Sequence, residues 1–192
     1  MLRRSISSSE ARRLLEQAIK APLPLVLDAD AINLLAEDGR LEGNLYNRLA
    51  PVILTPHPAE AARLLGCSAR KIQDDRIAAA REISQRYQSH VALKGCGTVL
   101  ATVDGRWWVN NTGNPGMATA GMGDVLTGML ASLLGQGWPA DSALLCAVHL
   151  HGAAADLLLA SGIGPAGMTA GEIIDPARSV FNQWIRQGIT GR

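Results

Sequence analysis

The sequence predicts an α/β fold: a mostly parallel sheet with an antiparallel edge hairpin, covered by helices on both faces. Two observations lead to this prediction. Short apolar segments alternate along the chain with longer segments of helical spacing, and Asp104-Gly105, a strong turn signal, separates the last two apolar segments. With 192 residues, of which 47% are hydrophobic, the chain is long and apolar enough for one sizeable domain with its own core.

Five segments are predicted to be strands. Three are short and continuously apolar, as expected for strands buried on both faces of a sheet: 23–28, 52–55 and 90–95. The other two, 98–103 and 106–110, are predicted to form the hairpin around a two-residue turn. Trp107 and Trp108 alternate along the last strand, so one should face the core and the other outward. An outward tryptophan could mark a contact between subunits of a homo-oligomer.

Helices are predicted from apolar spacing and from start and stop signals. An amphipathic helix opens the chain, with a serine among residues 7–9 as its N-cap. Four later helices are predicted at 58–65, from 68 to about 87, from 124 to 134 and from 139 to 160. Thr169 and Glu172 have the spacing of a capping box, and Pro176 either starts or interrupts the final helix.

Composition and charge narrow the classes of protein to consider. The net charge is +1 and no stretch is a basic run, so neither a nucleic-acid partner nor a membrane surface is expected. No segment is expected to span a membrane and the N terminus lacks an apolar signal core, so a cytoplasmic protein is predicted. Three widely spaced cysteines without a CxxC pair are interpreted as buried free thiols: Cys67, Cys96 and Cys146.

The segment 110–137 carries the most specific chemistry. Four glycines form a loop that leads directly into the helix at Asp124: Gly113, Gly116, Gly121 and Gly123. Glycines let backbone N–H groups approach an anion closely, and a helix N terminus adds unpaired donors, so the segment suits a phosphate or oxyanion. A carboxylate there fits a base that takes a proton from an attacking hydroxyl. The other interpretation is that Asp124 only caps the helix.

The string GNPGMATAGMGDVLTG resembles the signature of the NAD(P)H-hydrate dehydratases, a family of the ribokinase-like superfamily. Four further segments are similar to family motifs and occur in the same order: DADAINLL (28–35), TPHPAEAARLLG (55–66), LKGCGTV (93–99) and HGAAADLL (151–158). The resemblance covers about residues 23–175 and implies a ribokinase-like three-layer sandwich.

The resemblance implies an activity in nicotinamide-cofactor repair. The substrate would be the S-epimer of NADH or NADPH hydrate, in which water has added to the nicotinamide ring. A phosphoryl group from ADP, or ATP in some members, would be transferred to the hydroxyl, and phosphate would then leave, with ADP becoming AMP. Mg²⁺ would neutralise the phosphates.

The resemblance also implies a role for particular residues. Asp124 would be the base and would contact the hydrate, together with His57. The anion hole would be formed by Gly121, Met122 and Gly123, and the nucleotide would be bound by Gly123 and the loop of Lys94, Gly95, Cys96, Gly97 and Thr98. Glu60 would order Mg²⁺ through water. His57 could instead cap the following helix, and Lys94 could be a solvated lysine at a strand end.

Other polar residues are interpreted from the pattern. Asp28 and Asp30 close a buried strand and could shape the metal or substrate region or cap a helix that begins near Ala31. A structural role is favoured for Asp28, whereas the roles of Asp30 and Asn33 are open. His149 and His151 lie on an apolar helix and are interpreted as packed or capping residues.

The chain departs from the family at its N terminus. It is predicted to be one domain over residues 1–192 that lacks the family's N-terminal strands and glycine-rich loop, so weak or absent turnover is expected. Two alternatives therefore stay open: a ribokinase-like small-molecule kinase, and a truncated chain that binds nucleotide without turnover. A Rossmann domain is disfavoured because no strand-linked GxGxxG is present.

Overall fold

The computed structural model describes residues 8–190, which form five strands, nine α-helices and two short 3-10 helices. The strands are β1 (Leu25–Leu27), β2 (Val52–Leu54), β3 (His90–Leu93), β4 (Val99–Ala101) and β5 (Trp107–Val109). The helices are α1 (Ser8–Lys20), α2 (Asp30–Glu37), α3 (Gly39–Tyr46), α4 (Pro58–Leu65), α5 (Ala69–Asp74), α6 (Arg76–Tyr87), α7 (Met122–Gly135), α8 (Ala140–Ala160) and α9 (Ile174–Thr190). The 3-10 helices are Pro115–Met117 and Ala170–Ile173.

The strands form one mixed sheet in the order β1-β2-β3-β4-β5. The first three strands are parallel, with Leu54 opposite Val91, whereas β4 runs antiparallel to both of its neighbours. Four of the five strands therefore point the same way, and β5 forms an antiparallel edge with β4. The predicted α/β fold class is confirmed.

Alternation along the strands divides the core into two layers. In β2, Leu54 packs with the helices α1 to α6, and its neighbour Ile53 packs with α7 and α8 on the opposite face. In β4, Val99 and Leu100 divide in the same way. Strands β1 to β4 thus present apolar side chains to helices on both sides, which is the predicted three-layer arrangement, whereas the edge strand β5 packs through Trp108 alone.

The edge hairpin follows its prediction in position but not in its turn. Thr102 N donates to Arg106 O, so the loop has three residues, and not the predicted two around Asp104-Gly105. Gly105 adopts φ 86°, the left-handed conformation that a three-residue hairpin loop needs at this place. Trp107 is 44% exposed and Trp108 packs into the core, which confirms their predicted alternation.

The single long helix predicted from residue 68 to about 87 is wrong, because the segment is two helices. Asp75, at φ −148° and ψ 85°, leaves the helical conformation, and its side chain accepts a hydrogen bond from Ala78 N. Aspartate competes with helix continuation by capping a new helix, and it does so here. Ser68 caps α5 as predicted.

The remaining helix signals are largely confirmed. Residues 58–65 and the capping box of Thr169 with Glu172 occur as predicted. Pro176 lies in the first turn of α9, where its missing N–H is tolerated. The helix predicted from residue 124 begins two residues earlier, at Met122. Of the predicted N-cap serines, residue 7 lies outside the described residues and α1 begins at Ser8.

Helix α8 corrects the expectation about membrane spans. Its 21 residues are long and apolar enough to cross a membrane by length and composition. However, more than half of its apolar stretch is buried between the sheet and the helices α7 and α9. A buried core helix has the same composition, so we interpret α8 as the central helix of its layer.

The three cysteines are free thiols, as predicted. Their burial differs from the prediction. Cys96 is exposed in the loop after β3, and Cys67 and Cys146 are only partly buried. Burial raises the pKa of the Cys146 thiol above its usual value.

Candidate active site

The candidate site lies at the carboxyl ends of the parallel strands. Asp28 follows β1, His57 lies in the loop after β2, and Lys94 follows β3. The N terminus of α7 reaches the same edge, because Gly123 in its first turn packs against the side chain of Asp28. In open α/β sheets this edge is where ligands bind, and here the topology brings four separate segments of the chain together.

Asp28 and Lys94 form an ion pair at the centre of this edge. Oδ1 of Asp28 lies 2.6 Å from Nζ of Lys94, and Oδ2 accepts a longer bond from Thr127 Oγ1 at 3.4 Å. Both charged side chains are largely buried. Asp28 therefore has a structural role as the ion-pair partner of Lys94. Lys94 is held in this pair and is not a free lysine at the strand end.

Gly123 packs directly on this ion pair. A Cβ atom at position 123 would lie 2.9 Å from Asp28 Oδ2 and 3.5 Å from Lys94 Nζ. The first of these distances is shorter than real Cβ contacts allow. The absence of a side chain is therefore a steric requirement of the pair, in addition to any requirement of a ligand.

The first turn of α7 supplies free backbone donors. Gly121 is the N-cap at φ 87°, and the first helical hydrogen bond runs from Val125 N to Gly121 O. Among the described residues, no side chain caps this helix. The N–H groups of Met122, Gly123 and Asp124 therefore have no acceptor within the helix, which suits an anion.

Asp124 occupies the third position of α7 and is exposed. It borders a cleft of about 570 Å³ between α7 and α9, whose wall includes Val125, Met129 and Phe181. Asp124 therefore shares the first turn with the free N–H groups, and its side chain faces open space. The alternative that Asp124 caps the helix gains no support, because its side chain makes no capping bond.

The loop Lys94–Thr98 depends on two glycines with positive φ. Gly95 has φ 148° and Gly97 has φ 66°. The loop is closed by Thr98 Oγ1, which donates to Gly95 O at 3.1 Å, and its start is fixed by Lys94 N, which donates to Pro56 O at 2.8 Å. The backbone of this loop therefore has a defined shape beside the ion pair.

His57 and Glu60 form a reciprocal cap at the start of α4. Nδ1 of His57 accepts from Ala59 N at 3.1 Å and from Glu60 N at 3.3 Å, so its proton is assigned to Nε2. Nε2 lies 3.1 Å from Glu60 Oε1, and Glu60 Oε2 accepts from His57 N at 2.8 Å. The capping alternative for His57 is therefore correct, although its side chain is still 47% exposed at the edge of the site.

The segment after β1 contains a strained residue. Ala29, between the two aspartates, has φ 50° and ψ −118°, a conformation that residues with a Cβ rarely adopt. Asp30 is the exposed first residue of α2 and has no hydrogen bond from its side chain within the described contacts. Asn33 accepts from Arg63 Nη1 at 2.9 Å and so links α2 to α4.

Two residues that position the glycine-rich loop were missed from the sequence. Asp156 on α8 accepts from Gly113 N at 2.8 Å and from Asn114 Nδ2 at 3.1 Å. Gly152, one turn earlier, lies under Thr112, whose Oγ1 would be only 2.3 Å from a Cβ there. The spacing HGAAAD places both on one face of α8, which is the signal that could have found them.

The two histidines of α8 differ in burial: His151 is buried, whereas His149 is exposed and contacts one aromatic ring. The ring of His149 lies beside that of Trp184, with centroids 5.6 Å apart. His151 is 7% exposed and its Nε2 has no hydrogen-bond partner among the described atoms. Burial lowers the pKa of His151 to about 4.

A protein-only metal site does not fit these residues. Within residues 8–190, no three side chains of His, Cys, Asp or Glu are grouped so that they could hold a metal ion. Both oxygens of Glu60 contact His57, so this carboxylate is engaged in the cap of α4. Mg²⁺ commonly binds through substrate phosphates and water, a form of binding that needs no cluster of protein ligands.

The mixed sheet, the Asp after the glycine-rich loop and the glycine-containing loop after β3 are consistent with a ribokinase-like α/β protein. A ribokinase-like superfamily protein from Enterococcus faecalis V583 superposes with a TM-score of 0.76 at 26% identity, over 93% of this chain and 60% of that one. The NAD(P)H-hydrate dehydratase profile matches residues 7–177. The chain belongs to the NAD(P)H-hydrate dehydratase family.

Two relatives are similar over most of this chain. The ADP-dependent (S)-NAD(P)H-hydrate dehydratase of Neisseria meningitidis serogroup B is 48% identical over 167 residues, which are 87% of this chain and 54% of the relative. The crystal structure of the ADP/ATP-dependent NAD(P)H-hydrate dehydratase from Bacillus subtilis, co-crystallised with ATP/Mg²⁺, has a TM-score of 0.78 at 33% identity, over 92% of this chain and 60% of that one. The chain thus spans a little over half the length of these relatives.

Proposed function

We propose that this protein dehydrates the S-epimer of NADH or NADPH hydrate to the intact cofactor, using ADP or ATP as phosphoryl donor. Family membership and the name of the Neisseria relative support the reaction class. The observation that carries the proposal is the placement of Asp124, which is exposed on the first turn of α7 among free N–H groups. A base and an anion hole side by side are what phosphoryl transfer to a hydroxyl requires.

The proposed reaction has two steps. The hydroxyl of the hydrate loses its proton and attacks the terminal phosphorus of ADP, and AMP leaves. Loss of a ring proton then expels phosphate and restores the dihydronicotinamide double bond. The first step converts hydroxide, a poor leaving group, into phosphate, a good one. Asp124 is the proposed acceptor of the hydroxyl proton.

The nucleotide is proposed to lie along the Lys94–Thr98 loop and Gly123. The exposure of Gly95 and Cys96 and the nearness of Gly123 to Lys94 at the same edge support this position. The anion hole of Gly121, Met122 and Gly123 would receive the transferred group, since no acceptor for its N–H groups is found among residues 8–190.

His57 is the proposed contact to the hydrate. Its tautomer follows from the cap, with Nδ1 occupied by backbone N–H groups and the proton on Nε2. Both ring nitrogens are engaged within the cap, because Nε2 faces Glu60 Oε1 at 3.1 Å, so the exposed part of the ring would offer the hydrate a surface held at a fixed place. Glu60 would hold the ring in place, and any effect of Glu60 on Mg²⁺ would pass through water and the nucleotide phosphates.

The wider setting of the protein is also proposed. We propose a single ribokinase-like domain, with small-molecule substrates and neither nucleic acid nor membrane as a partner. The near-neutral charge supports this, as does the burial of α8. The exposed Trp107 on the edge strand β5 supports a homo-oligomer. A cytoplasmic location fits a cofactor-repair activity.

Recovery of dihydronicotinamide absorbance tests the proposal. The protein is incubated with NADH hydrate, Mg²⁺ and either ADP or ATP, with a reaction lacking nucleotide as control. Nucleotide-dependent recovery with release of phosphate is expected. A phosphorylated product without recovery would instead identify a small-molecule kinase. Binding of ADP without either product would identify a nucleotide-binding chain that does not turn over.

A further inference from the structure

Arg76, the first residue of α6, contacts the loop after β3 from behind. Its Nη2 lies 2.9 Å from Leu93 O, 3.3 Å from Lys94 O and 3.4 Å from Gly97 O. These carbonyl oxygens belong to the last residue of β3 and to the loop itself. One guanidinium nitrogen therefore contacts carbonyl oxygens near both ends of the five-residue loop.

The guanidinium is fixed in its own position. Nη1 of Arg76 donates to Gln73 Oε1 at 2.9 Å, and Nε is buried without a hydrogen-bond partner among the described atoms. Burial lowers the pKa of Arg76, while the nearby Cys96 thiol opposes this effect. A charged group withdrawn from water needs polar partners, and the loop carbonyls supply them here.

The backbone of Gly95 packs closely against the same guanidinium. A Cβ atom at position 95 would lie 2.9 Å from both Nη1 and Nη2 of Arg76. At φ 148°, the backbone of Gly95 is also in a conformation that side chains disfavour. A side chain at position 95 would therefore displace the guanidinium from its present place.

The break between α5 and α6 places Arg76 at the start of a helix. Asp75 ends one helix and caps the next, so Arg76 opens α6, and its side chain reaches the loop after β3. The helix break and the loop contact are thus adjacent along the chain.

We infer that Arg76 is a positioning residue, which holds the Lys94–Thr98 loop in the conformation that binds the phosphates of a nucleotide. This inference rests on the proposed function for its assignment of the loop to the nucleotide. Arg76 acts through the loop carbonyls and does not touch the ligand. If the loop without this anchor were competent about one tenth of the time, the apparent nucleotide affinity would fall about tenfold.

The test compares Arg76→Lys and Arg76→Gln with the unchanged protein. Lysine keeps the positive charge but cannot reach the separate carbonyls with a planar group, so it distinguishes geometry from charge. Arg86→Lys is the matched control, because Arg86 lies on the same helix and donates to Leu64 O and Glu42, away from the loop. ADP affinity is measured by titration calorimetry. Exchange of the Lys94 amide, which donates to Pro56 O at 2.8 Å, is measured without nucleotide, together with that of the other loop amides.

Both Arg76 variants are expected to bind ADP about tenfold more weakly, and their loop amides are expected to exchange faster than in the control. Melting temperatures separate this local effect from general destabilisation, which would affect all amides. ADP affinity equal to that of the unchanged protein in Arg76→Lys would overturn the inference, as would weaker binding without faster exchange. Absence of ADP and ATP binding by the unchanged protein would overturn the proposed function instead, and the exchange comparison would still decide whether Arg76 anchors the loop.

Discussion

The side chains of Asp28 and Lys94 meet across the carboxyl end of β2, with Oδ1 and Nζ 2.6 Å apart, although the two residues follow β1 and β3. The side chains are only 12% and 23% exposed, respectively. The lysine charge is therefore neutralised before a nucleotide arrives. A phosphate bound near Gly123 would compete with the carboxylate for the same ammonium group.

Asp28→Asn is expected to lower the free energy of unfolding by about 1–3 kcal/mol, because Lys94 loses its charged partner. ADP phosphates would restore a negative partner, so ADP should raise the melting temperature of this variant more than that of the unchanged protein. Thermal melts with and without ADP measure both effects. Asp141→Asn, which removes an ion pair with Arg106 on the hairpin, is the control. Equal ADP-induced shifts in all three proteins would contradict competition at Lys94.

Asp124→Asn is expected to reduce turnover of NADH hydrate by about a hundredfold or more, because the amide cannot accept the hydroxyl proton. ADP affinity should be unchanged, since the free N–H groups of the first turn are backbone groups. Initial rates and titration calorimetry give the two quantities. Asp175→Asn, an aspartate in the first turn of α9, serves as control. Normal turnover by Asp124→Asn in an active preparation would show that another group is the base.

Gly123→Ala is expected to weaken ADP binding and to lower stability, because its Cβ would lie 2.9 Å from Asp28 Oδ2. Gly128→Ala on the same helix is the control, since a Cβ there meets nothing within 4 Å. Replacement of this helical glycine should stabilise the protein by up to about 1 kcal/mol. Calorimetry and denaturant unfolding measure the two variants side by side. If both variants bind ADP equally well, the close approach at position 123 is not required.

Protonation of His151 is expected to destabilise the fold between about pH 6.5 and pH 4. Its pKa in the fold is about 4, below the ordinary 6.5, so the unfolded chain binds the proton first and stability falls as pH falls through this window. The contribution is at most about 3 kcal/mol. Burial also lowers the pKa of His90, which acts in the same direction.

Urea unfolding at several pH values measures this effect. His151→Leu should flatten the acid limb of the stability profile, whereas His149→Leu, at an exposed position, should leave it in place. An acid limb of equal steepness in the His151 variant would assign the loss of stability to other groups.

The sequence was sufficient for the architecture, because each strand carries its own signal. Continuous apolar runs identified β1, β2 and β3, and a glycine at the turn identified the hairpin. The break at Asp75 was not predictable from apolar spacing, because the pattern continues across it. Helix α3 was also missed, since it is short and the polar Asp38 that caps it resembles a loop residue.

The sequence predicted which residues lie at the candidate site better than it predicted the contacts between them. Lys94, Gly123 and the first turn of α7 were recognised as one motif set, and the structure brings them to one edge. The partners of these residues come from distant positions: Asp28 for Lys94, and Arg76 for the loop. Pairings of this kind depend on how helices and strands are stacked, which local pattern does not encode. The roles of His57, Glu60 and Asp124 in catalysis stay predictions.

The backbone at Ala29 limits which sequences this fold can accept. A residue with φ 50° and ψ −118° stores about 1–3 kcal/mol, which the neighbouring Asp28 contacts and helix α2 must offset. In a library with every amino acid at position 29, glycine should therefore be the replacement that raises thermal tolerance, and valine or isoleucine should be depleted first. A substitution in the turn that directs Asp28 toward Lys94 would thus affect both the stability of the fold and the geometry of the site.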